Sequence, residues 1–244
     1  MPVTRISQAY PDRVEVRGRD LTGELMGSLS FTEYFHLLLT GSEPTGEQRY
    51  FLDLLLVAIA EHGMMPTNVA ARMTLAADPG SLQGAVAAGI LGCGPVILGT
   101  AELCADLLAA AHARGGVDEI AREIHDSGER LPGFGHPVHR PVDPRAERIL
   151  ELADERGVSG AHVALARAFR DAAAAVWGRP LVMNVSMPIA AVMLDLGFPA
   201  SAVKAVPILA RTASLLAHLA EEREQPIGFT MAAAAEEAVE YERE

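Results

Sequence analysis

The chain has 244 residues, half of them hydrophobic and 21% charged, enough to bury a sizeable core as one large domain or two unequal ones. Its formal charge of −12 excludes a surface that grips nucleic acid through clustered Lys and Arg, so any anionic ligand must meet a local basic cluster set against the overall field. Cys93 and Cys104 form no CxxC motif and have no His or Cys companions at zinc spacing, so neither a disulfide framework nor a metal site is expected.

The first residues, MPVTRISQAYPDRVEV, carry no apolar stretch of the signal-peptide kind, and no uncharged apolar run reaches the roughly 18 residues that span a bilayer. The expectation is a protein of the reducing cytoplasm that engages no membrane. RVEVRG reads as a short strand. SFTEYFHLLLTG then sets Ser30 and Glu33 at capping-box spacing and closes on Gly41, the pattern of a complete helix. EQRYFLDLLLVAIAEHG repeats apolar residues at helical spacing and is expected to run to Gly63. PTNVAARMTLAA, SLQGAVAAGILG, GTAELCADLLAAAHARGG and VDEIAREIHDSG continue in the same style. DPRAERILELADERG, SGAHVALARAFRDAAAAVWG, MPIAAVMLDLGFP, SAVKAVPILARTASLLAHLAEE and a charged tail, read as a solvated helix or frayed end, complete the chain. Almost nothing alternates with period two, so the fold class is all-α. Small residues in AAGILGCG and AAAAVWG predict helices whose backbones approach closely.

One segment interrupts this pattern. LPGFGHPVHRPVDPR, residues 131–145, contains Pro132, Pro137, Pro141 and Pro144, which deny it helical hydrogen bonding and predict an ordered loop. On its own the segment has two readings. One is a surface turn with solvated charges; the other is a stiff mount that holds the His136 imidazole between Gly135 and Pro137, with Arg140 and Arg145 beside it. Arg145 follows Asp143 and Pro144, an arrangement that can open a helix.

The pattern G-F-G-H-x-V-x-R-x-x-D-P-R resembles the signature of the citrate synthase superfamily, which includes citrate and methylcitrate synthases, the C-terminal module of ATP-citrate lyase and the small stand-alone citryl-CoA lyases. VRGRDLTGELMGSLSFTEYFHLLLTGSEPT, IAEHGMMPTNVAARM, NVSMPIAAVMLDLGFP and ILARTASLLAHLAEE resemble further segments of that family, so the likeness covers nearly the whole chain. In length and wording the chain is similar to the stand-alone citryl-CoA lyases. The resemblance implies a helical fold with a larger subdomain, residues 1–110 and 191–244, and a smaller one, residues 111–190, carrying the loop. It implies that His136 meets the keto or hydroxyl oxygen of a C4 acid and acts as its acid or base, that His62 contacts the same acid and shares in the catalysis, that Arg145 and Arg211 grip its carboxylates, and that Arg140 lies near coenzyme A phosphate. Asn184 and Ser186 would line the acyl side. No tightly bound cofactor is implied, coenzyme A entering as part of the substrate; the expected partners are an acyl-CoA, a di- or tricarboxylate and further copies of the chain in a homodimer or larger homo-oligomer.

Two departures from the family pattern bear on chemistry. Where the family has a histidine that stabilises the acyl-CoA enolate, the chain has Ile97; where it has an aspartate base in N-V-D, the chain has Ser186. A family arginine near the C-terminal end has no counterpart around residues 224–227, Arg223 being out of register. The expected activity is therefore cleavage of the citryl-CoA type, giving an acyl-CoA and a 2-keto acid. Two alternatives stand beside it: a binding or regulatory relative with impaired chemistry, and a related condensing enzyme of altered substrate. Outside the motif, His139 reads as solvent-facing or supporting, because the family position is apolar. His36 and His218 read as packed helix residues, and His112, His125 and His162 as isolated. Met64, Met65 and Met183 read as gap fillers in a core.

Overall fold

The computed structural model describes residues 2–242. Three short strands, β1 (Ser7–Ala9), β2 (Val14–Val16) and β3 (Arg19–Asp20), pair antiparallel in the order β1-β2-β3, with Gln8 opposite Glu15 and Val16 opposite Arg19. A single π-helical turn, Leu21–Leu25, leads into α1 (Phe31–Thr40). Val16 and Leu25 meet Leu37 of α1 in a small apolar cluster of their own. The capping box at the start of α1 is formed from both sides: Glu33 N–H donates to Ser30 Oγ at 3.3 Å, and Ser30 N–H donates to Glu33 Oε2 at 2.7 Å. Gly41 ends the helix in the left-handed region at φ 87°.

The remaining helices are α2 (Gly46–Ala60), α3 (Pro66–Ala77), α4 (Leu82–Leu91), α5 (Thr100–Arg114), α6 (Val117–Asp126), α7 (Pro144–Glu155), α8 (Ala161–Trp177), α9 (Ser186–Asp195), α10 (Ala200–Val203), α11 (Ala205–Glu224) and α12 (Gly228–Glu237). The fold is all-α apart from the terminal sheet. Helix α2 stops at Ala60, three residues short of the expected Gly63, because the Glu61 side chain turns back to accept from His62 N–H and Gly63 N–H at 2.8 and 2.6 Å. That early stop leaves His62 on a turn. The expected single helix from Ser201 to Glu222 is broken at Lys204, and its two parts span Ala200–Glu224. By length and hydropathy this stretch is long and apolar enough to cross a bilayer, but it is not an uncharged run: it carries Lys204 and Arg211, and Arg211 is buried against a polar partner in α3, as in the core helix of a folded domain.

The largest core joins α2, α5, α7, α8 and α9 through Phe51, Leu55, Leu108, Ile149, Phe169 and Val192. Helix α9 lies at its centre, with every residue from Ser186 to Met193 buried. Each large apolar side chain taken out of water there contributes about 1.5–3 kcal/mol. A second cluster, Ala71, Leu75, Ala85, Leu215 and Leu219, binds α3, α4 and α11 together. Here the small residues act as anticipated: a Cβ at Gly89 would stand 2.9 Å from the carbonyl of Thr67, so only glycine lets α4 approach α3 this closely.

Candidate active site

The proline-rich segment is a loop, but Pro144 belongs to the first turn of α7, where its missing N–H costs nothing. Asp143 caps that turn, its Oδ1 accepting from Arg145 N–H at 3.1 Å. The same buried carboxylate receives Arg145 Nε at 3.1 Å and Arg145 NH2 at 2.8 Å, and also Val185 N–H at 3.2 Å from the turn before α9. Burial alone would raise the Asp143 carboxyl, but its bonds to Arg145 and that residue's charge outweigh the effect and hold it below the usual carboxylate range. Asp143 thus fixes the direction of the Arg145 guanidinium and ties the loop to α9. The sequence pattern signalled it only as an N-cap.

A short antiparallel bridge between Phe134 and Met183 completes the attachment. Gly135 N–H donates to Val182 O at 2.7 Å, Asn184 N–H to Gly133 O at 2.8 Å, and Asn184 Nδ2 to Gly135 O at 3.0 Å. Gly133 has φ 78° and lies so close to α5 and α9 that an added Cβ would meet Cys104 Sγ and Met187 Cβ, each at 2.8 Å. Asn184 therefore braces the histidine loop, and its Oδ1 accepts from Ser186 N–H at 3.0 Å. Arg140 folds back onto the loop, donating to His139 O at 2.8 Å and to His136 O, so its guanidinium clamps the turn.

His136 is held in one tautomer. Its Nδ1 accepts from the backbone N–H groups of Val138 and His139 at 3.1 and 2.8 Å, so in the neutral ring the proton sits on Nε2. Burial, then the neighbouring His139, push its pKa down to about 4, against a weaker opposing pull from Asp143, so the ring is neutral at pH 7. Nε2 faces Arg145 NH2 at 3.4 Å. Both groups are then N–H donors lying side by side, and an oxygen bonded to both, an anionic one best, would satisfy them.

Three imidazoles meet here. His62 and His136 pack edge to face at 5.1 Å, His136 and His139 stack at 4.3 Å, and His62 Nε2 lies 3.1 Å from His139 Nε2. His139 is thus no solvent-facing residue; it bonds directly to the second expected acid-binding histidine. Their ring nitrogens fall within 4.8 Å of one another, close enough to suggest a cation site. The donor chemistry argues for anions instead, because the His136 lone pair is engaged by the backbone and a guanidinium stands next to its Nε2–H.

Arg211 approaches from α11. Its NH1 donates to Asn68 Oδ1 at 3.0 Å, and Asn68 Nδ2 donates to Gly63 O at 2.7 Å, so one buried amide links Arg211 to the turn carrying His62. Arg211 is only 2% exposed and its buried Nε has no partner among the described residues. Burial, opposed by nearby Glu61 and Cys93 and reinforced by Arg145, lowers its pKa from the usual guanidinium value. Arg145 and Arg211 are therefore near enough to feel each other's charge. Ile97 sits in the turn before α5, next to Leu98, a non-glycine residue at φ 64°. Ser186, in the first turn of α9, is 7% exposed.

Glu61 was missed in the sequence. Its Oε1 caps the His62 turn, while its Oε2 accepts from Ser214 Oγ and, at 3.0 Å, from His218 Nε2. His218 packs on its helix as expected but also joins a polar network. Its Nδ1 accepts from Arg72 Nε at 3.1 Å, and Arg72, fully buried, also pairs with Glu222 at 3.0 Å and with Glu221. His112 and His162 are not isolated, their rings lying 4.8 Å apart, and His162 Nδ1 bonds Asp195 at 2.9 Å.

The fold is thus helical, with a loop and the start of α7 setting an imidazole and a guanidinium side by side, His136 Nε2 and Arg145 being 3.4 Å apart. The chain belongs to the citrate synthase family: residues 6–228 match "Citrate synthase, C-terminal domain". Over its whole length it is similar to the structure of citryl-CoA lyase from Hydrogenobacter thermophilus, with a TM-score of 0.90, 29% identity, and coverage of 100% of this chain and 95% of that one. It shares 34% identity over 188 residues with "Putative citrate synthase 2" of Mycobacterium tuberculosis, covering 74% of this chain and 49% of that protein. The fold also matches ATP citrate lyase from Methanothrix soehngenii, solved in complex with citrate and coenzyme A, at a TM-score of 0.80 and 19% identity, over 99% of this chain and 42% of that one. The chain spans about half the length of the curated relatives it matches first.

Proposed function

We propose that the protein is a carbon–carbon lyase of the citryl-CoA type, cleaving a 3-hydroxy-3-carboxyacyl-CoA to an acyl-CoA, such as acetyl-CoA, and a 2-keto acid, such as oxaloacetate. The observation that carries the reading is the neutral His136 Nε2–H set beside the Arg145 guanidinium, with Ser186 where a methyl-deprotonating carboxylate would stand. His136 donates to the carbinol oxygen and stabilises it as it becomes the keto oxygen of the product. It does not serve as the base, since its lone pair faces the backbone. Arg145 and the buried Arg211 hold the carboxylates, each charge-assisted bond contributing about 1.5–3 kcal/mol. His62 borders the same acid, and Arg140, Asn184 and Ser186 flank the coenzyme A and acyl side.

Cleavage asks less of this site than synthesis does. A positioned acid or base contributes about 10²- to 10⁴-fold in rate, and the chain lacks both the imidazole at Ile97 and the carboxylate at Ser186 that deprotonation of an acyl methyl would use. In this reading residues 111–190 close against residues 1–110 and 191–244 over the bound substrate, and two or more copies associate in the cytoplasm.

Purified protein incubated with citryl-CoA should release oxaloacetate, followed through a coupled dehydrogenase, and His136→Ala should abolish the release. Ile97 and Ser186 also favour a second reading, a binding or regulatory protein that retains the acid clamp. Tight citrate binding without turnover would establish it and remove the lyase.

A further inference from the structure

A lyase needs a group that takes the carbinol proton, and the reaction as read so far names none. The ionisable side chains gathered at the site can be tested one by one. Asp143 is locked by Arg145 and the Val185 amide. Glu61 has both oxygens engaged by five donors, the amides of His62 and Gly63, the Asn68 side-chain amide, the Ser214 hydroxyl and His218. His136 presents N–H and not a lone pair, and the guanidinium groups of Arg140, Arg145 and Arg211 carry donors and no acceptor. The Cys93 thiol is pushed up by burial, away from the thiolate. His62 and His139 are left.

These two rings share one hydrogen bond, Nε2 to Nε2 at 3.1 Å, and neither Nδ1 has a partner among the described residues. One proton lies between the rings. The ring that donates it therefore has a lone pair on its outer nitrogen, and the ring that accepts it has an outer N–H. A proton taken up at one outer nitrogen shifts the bridging proton and can leave from the other. We propose that His62 and His139 work as one proton-exchanging pair in the cleavage, His139 acting as a relay through His62; the role rests on the lyase reading.

The balance closes without a co-reactant. His62 takes the proton from the carbinol oxygen, the bridging proton moves to His139, and the oxygen's electron pair forms the new carbonyl as the carbon–carbon bond breaks. The electrons of that bond pass to the α-carbon of the acyl-CoA as its enolate, which takes the proton back from the pair. Titratable and charged groups near the two rings are Arg145 in the first turn of α7, Asp143 that caps it, His136 and Arg140 of the loop, and Glu61 just beyond α2. Burial, then Arg145 and then His139, lower the pKa of His62, which keeps it free to accept at neutral pH.

The test uses the full-length protein, citryl-CoA, and two variants. His139→Leu removes the ring; His139→Gln keeps a polar group of similar reach that cannot relay a proton, and guards against a folding defect. Both should lower kcat by about 10²-fold with KM little changed, as expected for loss of a positioned acid–base group. Without His139 charge nearby, His62 should titrate at higher pH, so the rising limb of the kcat profile and the His62 midpoint followed by NMR should both move up. Wild-type turnover with unchanged kcat and an unmoved limb in the variants, or a rise in KM alone, would overturn the relay and leave the lyase standing. If the wild type does not turn over at any pH, the lyase reading falls and the relay with it.

Discussion

Two polar clusters, one buried around Arg72 and one half-buried around His136, differ in completeness. Around Arg72 every direction is answered: His218, Glu221 and Glu222 take its donors, and Glu222 goes on to accept from Ile227 N–H and Gly228 N–H at 2.9 and 2.7 Å, fastening α12. Around His136 the groups are not all answered: Arg145 faces His136 Nε2–H at 3.4 Å, and the buried Nε of Arg211 has no partner among the described residues. Both clusters look alike as a list of charged residues. A satisfied network rigidifies a core, whereas an unsatisfied one stores affinity for a ligand that can complete it.

Substitutions should separate the two. Arg72→Met leaves the buried Glu222 carboxylate without its cation and should cost about 3–5 kcal/mol of stability, read as a lower midpoint in chemical denaturation. At the open cluster the order reverses. Arg211→Met should leave the denaturation midpoint within about 1 kcal/mol of the parent while weakening citrate binding by about 10- to 150-fold in calorimetry, the equivalent of one charge-assisted bond of about 1.5–3 kcal/mol. If Arg211→Met unfolds the protein as readily as Arg72→Met does, the contrast is lost.

Acid should weaken the open cluster gradually. His136 titrates near pH 4 in the folded chain against 6.5 for a free histidine, so the unfolded state takes up the proton first. Stability supplied by the neutral ring is complete above pH 6.5 and is lost as pH falls toward 4. Melting temperatures across that window should fall, and less steeply in His136→Gln. Least affected of all should be a site remote from both clusters: Ser30→Ala removes one half of a capping box and should cost about 1 kcal/mol with no change in citrate binding.

Local signals were legible in the sequence and long-range ones were not. Ser30, Glu33 and Gly41 announced α1, and Pro66 to Ala77 fell within one residue pattern, because caps and prolines act on their own turn. The Thr45–Gln48 capping box of α2 had the same kind of signal and went unread. The early end of α2 was invisible, since it depends on where the Glu61 side chain turns. Family likeness supplied His62, His136, Arg145 and Arg211, and the coordinates bring His62, His136 and Arg145 into one cluster, with Arg211 tied to the His62 turn through Asn68. Of the two readings of His139, solvent-facing or supporting, the structure keeps the second, its ring bonding to His62 Nε2 at 3.1 Å. Asp143 and Asn68 escaped because their roles lie in bonds to residues 42 and 143 positions away.

The carboxylate of Asp143 holds a guanidinium on one side and the Val185 amide on the other, while Asn184 clasps Gly135. Loop, start of α7 and start of α9 are therefore fastened into a single block. Under the closure proposed above, that block would move whole past the turn that bears His62, exchanging the His62–His139 hydrogen bond and none of the contacts inside the block.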